Sequence, residues 1–429
     1  MLTRSKLGIV TAGLGVALLA ACAPSTDTSG GGEGEGEGTT IEVWSWRTED
    51  VDEYEKIFDA YEADHEGVTV EFKPYVATEY DTILSTGLSA EGGPDVAQLR
   101  AYGGLQPLCE AGRLVELEGE DVDTSAIPDD VLGGARCESD DGLYGVPFAS
   151  QALVVYYNKA IFEENGLEEP ETWDDLMATS ETLQTAGITP YAVTGKDNWV
   201  LPMLHDLFTA PRYGGPEFEQ AVQSGEKDFT DPDYVASIET MEEITPYFPE
   251  DVVGVDYATA QTLFTSERAA MYPGGSFELA FFQQQNPDLD LGVFAVPPPP
   301  GAVVEESMTP GWVDASFGVN STSPDQEESL ELVRWMATQD FGQMVSDELK
   351  QLNPVEGVTP NDQVLQEISQ LRTDSPTPYL LLQDFRYGEP TGTDLMAAGL
   401  QSMLLGDADA DAISADLQKG IAQWFEPGA

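Results

Sequence analysis

From residue 41 the chain alternates apolar and polar side chains: Ile41-Glu42-Val43-Trp44-Ser45-Trp46 has the two-residue period and the composition of a β-strand. Tyr54, Ile57, Phe58 and Tyr61 then recur at the spacing of one helix face, and Val68-Thr69-Val70-Glu71-Phe72 returns to alternation. Thr82 to Leu88 has the pattern of a second helix, and Gly92-Gly93-Pro94-Asp95 forms a turn feeding a strand from Val96 to Leu99. Alternating β and α units predict a largely parallel sheet covered by helices, with ligands at the carboxyl ends of its strands.

Further on, Tyr144-Gly145-Val146-Pro147-Phe148 leads into an apolar strand from Ala152 to Lys159. Thr172 is the expected N-cap of a helix running to about Ala186, with Asp175 at the third helical position as its capping-box partner. Pro297-Pro298-Pro299-Pro300-Gly301 is a rigid extended segment bordering a lobe, since proline fits neither a helix interior nor a central strand. Glu327 to Gln339 and Asp394 to Leu405 have helical patterns, the second stopped by Gly406. No internal repeat is visible.

The 429 residues have ample material for two or more lobes, and 41% hydrophobic residues exclude a disordered chain. A formal charge of -60 repels nucleic-acid backbones and anionic lipid headgroups, so nucleic acid is not an expected partner. The acids are spread along the chain, as on a solvated surface suited to salty surroundings. At the start, Arg4 and Lys6 precede an apolar stretch from Leu7 to Ala21, too short to span a bilayer and built like a signal peptide, residues 1–21. Leu19-Ala20-Ala21-Cys22 resembles the lipobox of bacterial lipoproteins, which implies cleavage before Cys22 and lipid attachment to its sulfur. Plain secretion is the alternative. Residues 22–40 are the lipidated Cys and a Gly/Glu tether with almost nothing to bury. Cys109 and Cys137 remain; in an exported chain they suggest a disulfide, the alternative being two buried thiols.

Catalytic and cofactor signatures are scarce. Of the two histidines, His65 lies in a charged, solvated run, and His205 suits core packing or a cleft rim. No Gly-x-Ser-x-Gly elbow, phosphate-binding loop or dinucleotide fingerprint occurs, so neither hydrolase chemistry nor a bound nucleotide is expected. No cofactor and no metal site is expected. With 78 acids, a nearby carboxylate pair carries no specificity for glycoside cleavage. Asp407 to Asp411 reads as an exposed helix entry, not a calcium loop.

Several segments, in order, resemble one family. Lipobox and tether, Ile41-Glu42-Val43-Trp44, Gly93-Pro94-Asp95-Val96, Tyr144-Gly145-Val146-Pro147, Tyr156-Tyr157-Asn158-Lys159-Ala160-Ile161-Phe162, Pro170-Glu171-Thr172-Trp173-Asp174-Asp175-Leu176, Gly187-Ile188-Thr189-Pro190 and Gly274-Gly275-Ser276-Phe277 are similar to the extracellular sugar-binding proteins of ABC importers, the maltose-binding-protein-like family 1. The resemblance implies an α/β fold of the periplasmic-binding-protein type II, two lobes closing as a clamshell, each a mainly parallel sheet flanked by helices. Crossovers are expected near Ser150 and Gln151, between Val303 and Trp312, and from Asn353 to Val358. The N-terminal lobe then comprises 41–150 plus 312–355, and the C-terminal lobe 151–311 plus 356–429.

A neutral sugar needs aromatic faces for its C–H patches and amides, carboxylates or guanidinium groups for its hydroxyls. By the family pattern Trp46, Arg47 and Glu49 face the cleft, Trp46 stacking and Glu49 accepting hydroxyl protons, while Trp44 belongs to the core. Gln98, Arg100 and Tyr102 fall on alternating positions, hence on one side of an extended segment. Gln151 matches a polar position at the first crossover, and Asn198 with Trp199 matches an aromatic on the second lobe. Phe277 stands where the family usually has Trp. Trp312 and Asp314 at the second crossover, and Arg386 and Tyr387 in the last segment, complete the set.

The resemblance implies a monomeric, non-enzymatic receptor, exported and lipid-anchored at Cys22 to the outer face of the cell membrane. It would capture a mono- or oligosaccharide and deliver it to the transmembrane subunits of an ABC permease. The competing readings are a charged cargo such as a sugar acid, amino sugar or polyamine, a surface glycosidase, and a structural adhesin.

Overall fold

The structure, a computed structural model, describes residues 38–90 and 92–428. The signal segment, Cys22 and the tether as far as residue 37 lie outside the described residues. Nine strands are described: β1 (Thr39–Ser45), β2 (Val68–Pro74), β3 (Val96–Arg100), β4 (Val146–Asn158), β5 (Thr189–Tyr191), β6 (Ala269–Gly275), β7 (Leu291–Phe294), β8 (Thr309–Val319) and β9 (Pro376–Pro378). They form one path in the order β2-β1-β3-β8-β4-β6-β5, with β7 added to β4 and β9 to β8. β1 begins at Thr39, inside the segment expected to be tether, because Thr39 and Thr40 already pair with Val68 and Thr69.

β1 is parallel to β2 and β3, and β5 is parallel to β6, as βα units require. The long strands β4 and β8 are antiparallel to each other, and on their outer sides β8 is antiparallel to β3 and β4 to β6. They depart from the parallel pattern because they pass between lobes instead of returning through a helix. The first half of β4, Val146 to Ala152, pairs with β8, whereas Leu153 to Asn158 pairs with β6 and β7. Irregularities in register around Ala149 bend the strand at the passage.

The buried side chains divide along the same line. One hydrophobic core joins Ile41, Val43, Tyr54, Phe58 and Leu99 to Phe148, Phe317, Val333 and Phe341. A second joins Leu153, Leu176, Leu204, Phe208 and Ile238 to Met396, Leu400 and Leu417, with a third beneath β6 around Phe264, Tyr272 and Phe282. Tyr102 belongs to the second core although β3 belongs to the first.

Local sequence rules explain most helix ends. The helix Val51–Asp64 buries Tyr54, Ile57, Phe58 and Tyr61 on one face. Thr172 caps Trp173–Thr185 in a complete capping box with Asp175. The helix expected at Thr82 starts earlier, spanning Ala77–Gly87. The helix expected from Glu327 to Gln339 is two, Gln326–Met336 and Gln339–Glu348, because Thr338 turns its hydroxyl onto the amide of Phe341 and starts a new helix. Cys109 and Cys137 are disulfide-bonded, with Cα atoms 6.1 Å apart. No helix among the described residues is long and apolar enough to cross a membrane.

Candidate functional site

The carboxyl end of β1 presents Ser45, Trp46 and Arg47. The Ser45 hydroxyl donates to the amide oxygen of Gln98 and accepts from the Arg47 N–H at 2.9 Å, so the strand end is fixed from within. Arg47 Nε donates to Asp50 Oδ2 at 2.6 Å and its Nη1 lies 3.0 Å from Glu49 Oε1. Burial alone would lower the Arg47 pKa, but Asp50 and Glu49 more than offset this and hold the guanidinium charged. Its charge in turn reaches Tyr257 and Glu278 of the other lobe.

On that opposite side Glu278 is buried and accepts three hydrogen bonds: from Tyr257 Oη at 2.7 Å, Tyr272 Oη at 2.8 Å and Gln261 Nε2 at 2.8 Å. Burial raises its pKa, and these donors with Arg47 oppose the rise. Tyr257 is held further by its backbone N–H on Asp197 Oδ2 at 2.7 Å. Its ring lies 5.2 Å from that of Trp199. Trp199 is 44% exposed, the one aromatic among the exposed large hydrophobic side chains of the described residues. Asn198 beside it is half-buried.

Gln151 sits where β4 changes lobes and is 1% exposed. Its amide nitrogen donates to Asp314 Oδ2 at 3.1 Å and Gln351 Oε1 at 3.4 Å, and its amide oxygen accepts from Ser276 Oγ at 2.6 Å. Strands β4 and β8 and the 351–352 segment therefore meet at one amide, assisted by Ser150 N–H donating to Leu352 O at 2.8 Å. Asp314 also accepts from Trp312 Nε1 at 3.2 Å, and Trp312 meets Phe277 and Tyr379 edge-on. The half-buried Phe277 ring covers Gly275, where a Cβ would lie 2.1 Å from the ring.

Several expected contacts have other work. Trp46 is buried, with Tyr80 against it edge-on and the Arg100 guanidinium carbon 4.5 Å above its ring, so its face is already covered. Arg100 Nε is shared between both oxygens of Asp81, at 2.8 and 3.0 Å. Gln98, Arg100 and Tyr102 do not form one row, because the chain leaves extended geometry at Tyr102, whose φ is 56°. The buried Tyr102 hydroxyl accepts from the Val313 N–H at 3.1 Å and fixes the 102–104 loop to β8. Gln98 is buried behind Ser45. Arg386 and Tyr387 are half-buried against the 102–104 loop; a Cβ on Gly103 would lie 2.0 Å from the Arg386 carbonyl oxygen.

Sequence reasoning missed Tyr257, Glu278, Ser276 and Gln351. Only Glu278 carries a signal, an acid directly after the Gly-Gly-Ser-Phe turn that ends an apolar strand. His205 is fully buried, its Nε2 2.8 Å from Ser237 Oγ, and burial lowers its pKa to about 3, which keeps it neutral.

The model of the family described as bacterial extracellular solute-binding protein matches residues 45–342. The chain belongs to this family. Family members are solute receptors, and the two-lobed α/β clamshell is the fold that this receptor shares with solved structures. Among relatives, the multiple sugar-binding protein of Streptococcus mutans is 26% identical over 349 residues, covering 77% of each chain. A chitin oligosaccharide binding protein of known structure superposes with a TM-score of 0.76 at 21% identity, over 89% of this chain and 98% of its own. The bacterial solute receptor AcbH, described as exclusively preferring β-D-galactopyranose, gives 0.77 at 18% identity, over 91% of this chain and 100% of its own. These two likenesses carry the fold alone.

Proposed function

We propose that this solute-binding protein captures a mono- or oligosaccharide between its lobes and delivers it to the transmembrane subunits of an ABC permease. The observation that carries the reading is the exposed Trp199 indole beside Tyr257, whose hydroxyl is within electrostatic reach of Arg47 and Glu49 from the end of β1. An open aromatic face next to fixed hydrogen-bonding groups suits a ring with apolar C–H patches and a rim of hydroxyls. The names of the Streptococcus mutans relative and of both structural neighbours, all sugar receptors, support it.

In this reading the lobes are 41–150 plus 312–355 and 151–311 plus 356–429, consistent with the separate cores and with Gln151 at the shared passage. Trp199 and Phe277 supply stacking faces, and Glu49, Asn198, Asp314 and Tyr387 the polar rim. Trp312 backs Phe277, and Gln151 holds Asp314. No bond is broken: ligand bridging both lobes shifts the protein toward the closed state by its greater affinity for it. The mature monomer is tethered through lipid at Cys22, outside the cell membrane, and needs no cofactor, metal or nucleic acid.

Trp199→Ala tests the reading. A saccharide panel should include at least one ligand that raises the melting temperature. Against that ligand the variant is expected to bind about 10- to 100-fold more weakly by calorimetry. The unliganded variant should melt close to the parent, since the removed ring is exposed and leaves no core cavity. A panel in which no saccharide shifts melting while another solute class does would refute the sugar assignment.

A further inference from the structure

Cations are scarce in this chain, 18 against 78 acids, and most arginines placed near the groove are committed. Arg47 is held by Asp50 and Glu49, and Arg100 by Asp81. Arg372 donates to the carbonyls of Thr309 and Thr377, both at 3.0 Å. Arg386 differs. It is half-buried, yet none of the ion pairs or side-chain hydrogen bonds among the described residues uses its guanidinium.

Its placement is set by backbone. The Arg386 carbonyl is pressed against Gly103, in the loop that follows Arg100 and β3, and only a residue without Cβ allows that approach. The last segment of the chain thus meets the first lobe at this line. The Arg100 charge is close enough to disfavour that of Arg386, while Asp81, Asp394 and the Tyr379 hydroxyl are the groups of opposite effect around Arg386. Asp81 already binds Arg100 through both oxygens. Asp394 sits in the first turn of the helix Gly392–Leu404, whose positive end it faces. The two carboxylates match the two guanidinium groups in number, but neither pairs with Arg386, whose guanidinium is left without an ion pair or side-chain hydrogen bond among the described residues.

Partly desolvated, unpaired charge is unfavourable, and a partner that brings the opposite charge relieves it more than a neutral hydroxyl does. The planar fork of a guanidinium matches a carboxylate with two parallel hydrogen bonds. Resting on the saccharide reading above, we propose that Arg386 forms a subsite for the carboxylate of an acidic sugar unit, so that the cargo is a uronic-acid-containing saccharide. The protein's overall negative field does not oppose this at contact range, because exposed charges are screened beyond about 8 Å at physiological salt.

The test compares acidic saccharides with partners that differ only in charge: trigalacturonate, a glucuronate-substituted xylo-oligosaccharide and trimannuronate, each against its methyl ester. Binding of the full exported chain is followed by calorimetry. At least one free acid is expected to bind about tenfold or more tightly than its ester. Arg386→Gln should erase that preference while leaving the ester's affinity within about threefold, and Arg386→Lys should retain part of it. Esters or neutral sugars binding as tightly as every free acid would overturn the subsite and leave the saccharide reading standing. A preference that survives in Arg386→Gln would also overturn it. Silence from all saccharides, acidic and neutral, would sink both readings together.

Discussion

A Cys109→Ala/Cys137→Ala variant is expected to lose about 3–4 kcal/mol of stability, the chain-entropy value for a loop closed over 28 residues. The region it closes has little else to hold it. Between the cysteines lie only the short helix Asp129–Leu132, a 3-10 turn at Gly133–Ala135 and otherwise irregular backbone; the segment touches the end of β8 at Leu114 and Val115, which meet Asn320 and Val319, and Arg136 makes an isolated bridge to Leu143. Leu117, Ile127, Leu132 and Leu143 nevertheless belong to the first lobe's core, so releasing the loop in the unfolded chain must be repaid entirely by their packing. Urea titration should show a lower midpoint and a steeper slope, because the uncrosslinked unfolded chain exposes more surface. A midpoint unchanged by the double substitution would mean the loop is already restricted in the unfolded state and the bond contributes little. Ligand affinity should change far less than stability, since neither sulfur approaches Trp199, Phe277 or Glu49.

How much of this was readable beforehand depends on how local the determining interactions are. The first helix was legible because Tyr54, Ile57, Phe58 and Tyr61 state its buried face in 3.6-residue spacing, and Thr172 with Asp175 because a capping box is complete within four residues. The division at Thr338 was not, because Ala337 and Thr338 interrupt no apolar periodicity and the new cap shows only in the hydroxyl's direction. The site was legible as a set of residue types at lobe crossings, but not in its roles. Gln151 looks like a sugar-binding amide in sequence; its partners Ser276, Asp314 and Gln351 are 125, 163 and 200 residues away, and together they make it a structural knot. Trp46 looks like an open platform until Arg100, fifty-odd positions on, is found lying across it. Conversely Tyr257 and Glu278 have unremarkable neighbours in sequence and acquire meaning only when the second lobe faces Arg47. Long-range closure decides function here, and no window of sequence contains it.

The second lobe is expected to grow less stable as pH rises, opposite to the usual acid-labile behaviour of an acidic protein. Asp206 is fully buried in the helix Val200–Tyr213, accepting from Tyr213 Oη at 2.8 Å and from the Leu380 N–H at 3.3 Å, with no cation against it. Burial raises its pKa to about 7, and the two hydrogen bonds oppose the rise without cancelling it. The charged and titratable groups around it are Glu219, Tyr213, Tyr234 and Tyr379; the adjacent His205 is neutral. Glu219 and Asp384 are both pushed up, chiefly by burial, so they add in the same direction. A carboxyl group whose folded pKa exceeds its unfolded value holds its proton more tightly when folded. Its contribution is therefore complete below about pH 4, its unfolded pKa, and is lost as pH rises through 7. Asp206 alone should cost about 3 kcal/mol between pH 5 and pH 8 by this linkage, with a smaller share from the half-exposed Glu219. Asp206→Asn keeps an acceptor for Tyr213 but cannot ionise, so its unfolding free energy should fall less steeply with pH. The variant is expected to be slightly less stable than the parent at pH 5 and more stable at pH 8, with the two curves crossing between. Parallel curves across this range would place the proton elsewhere and leave Asp206 ionised within the core.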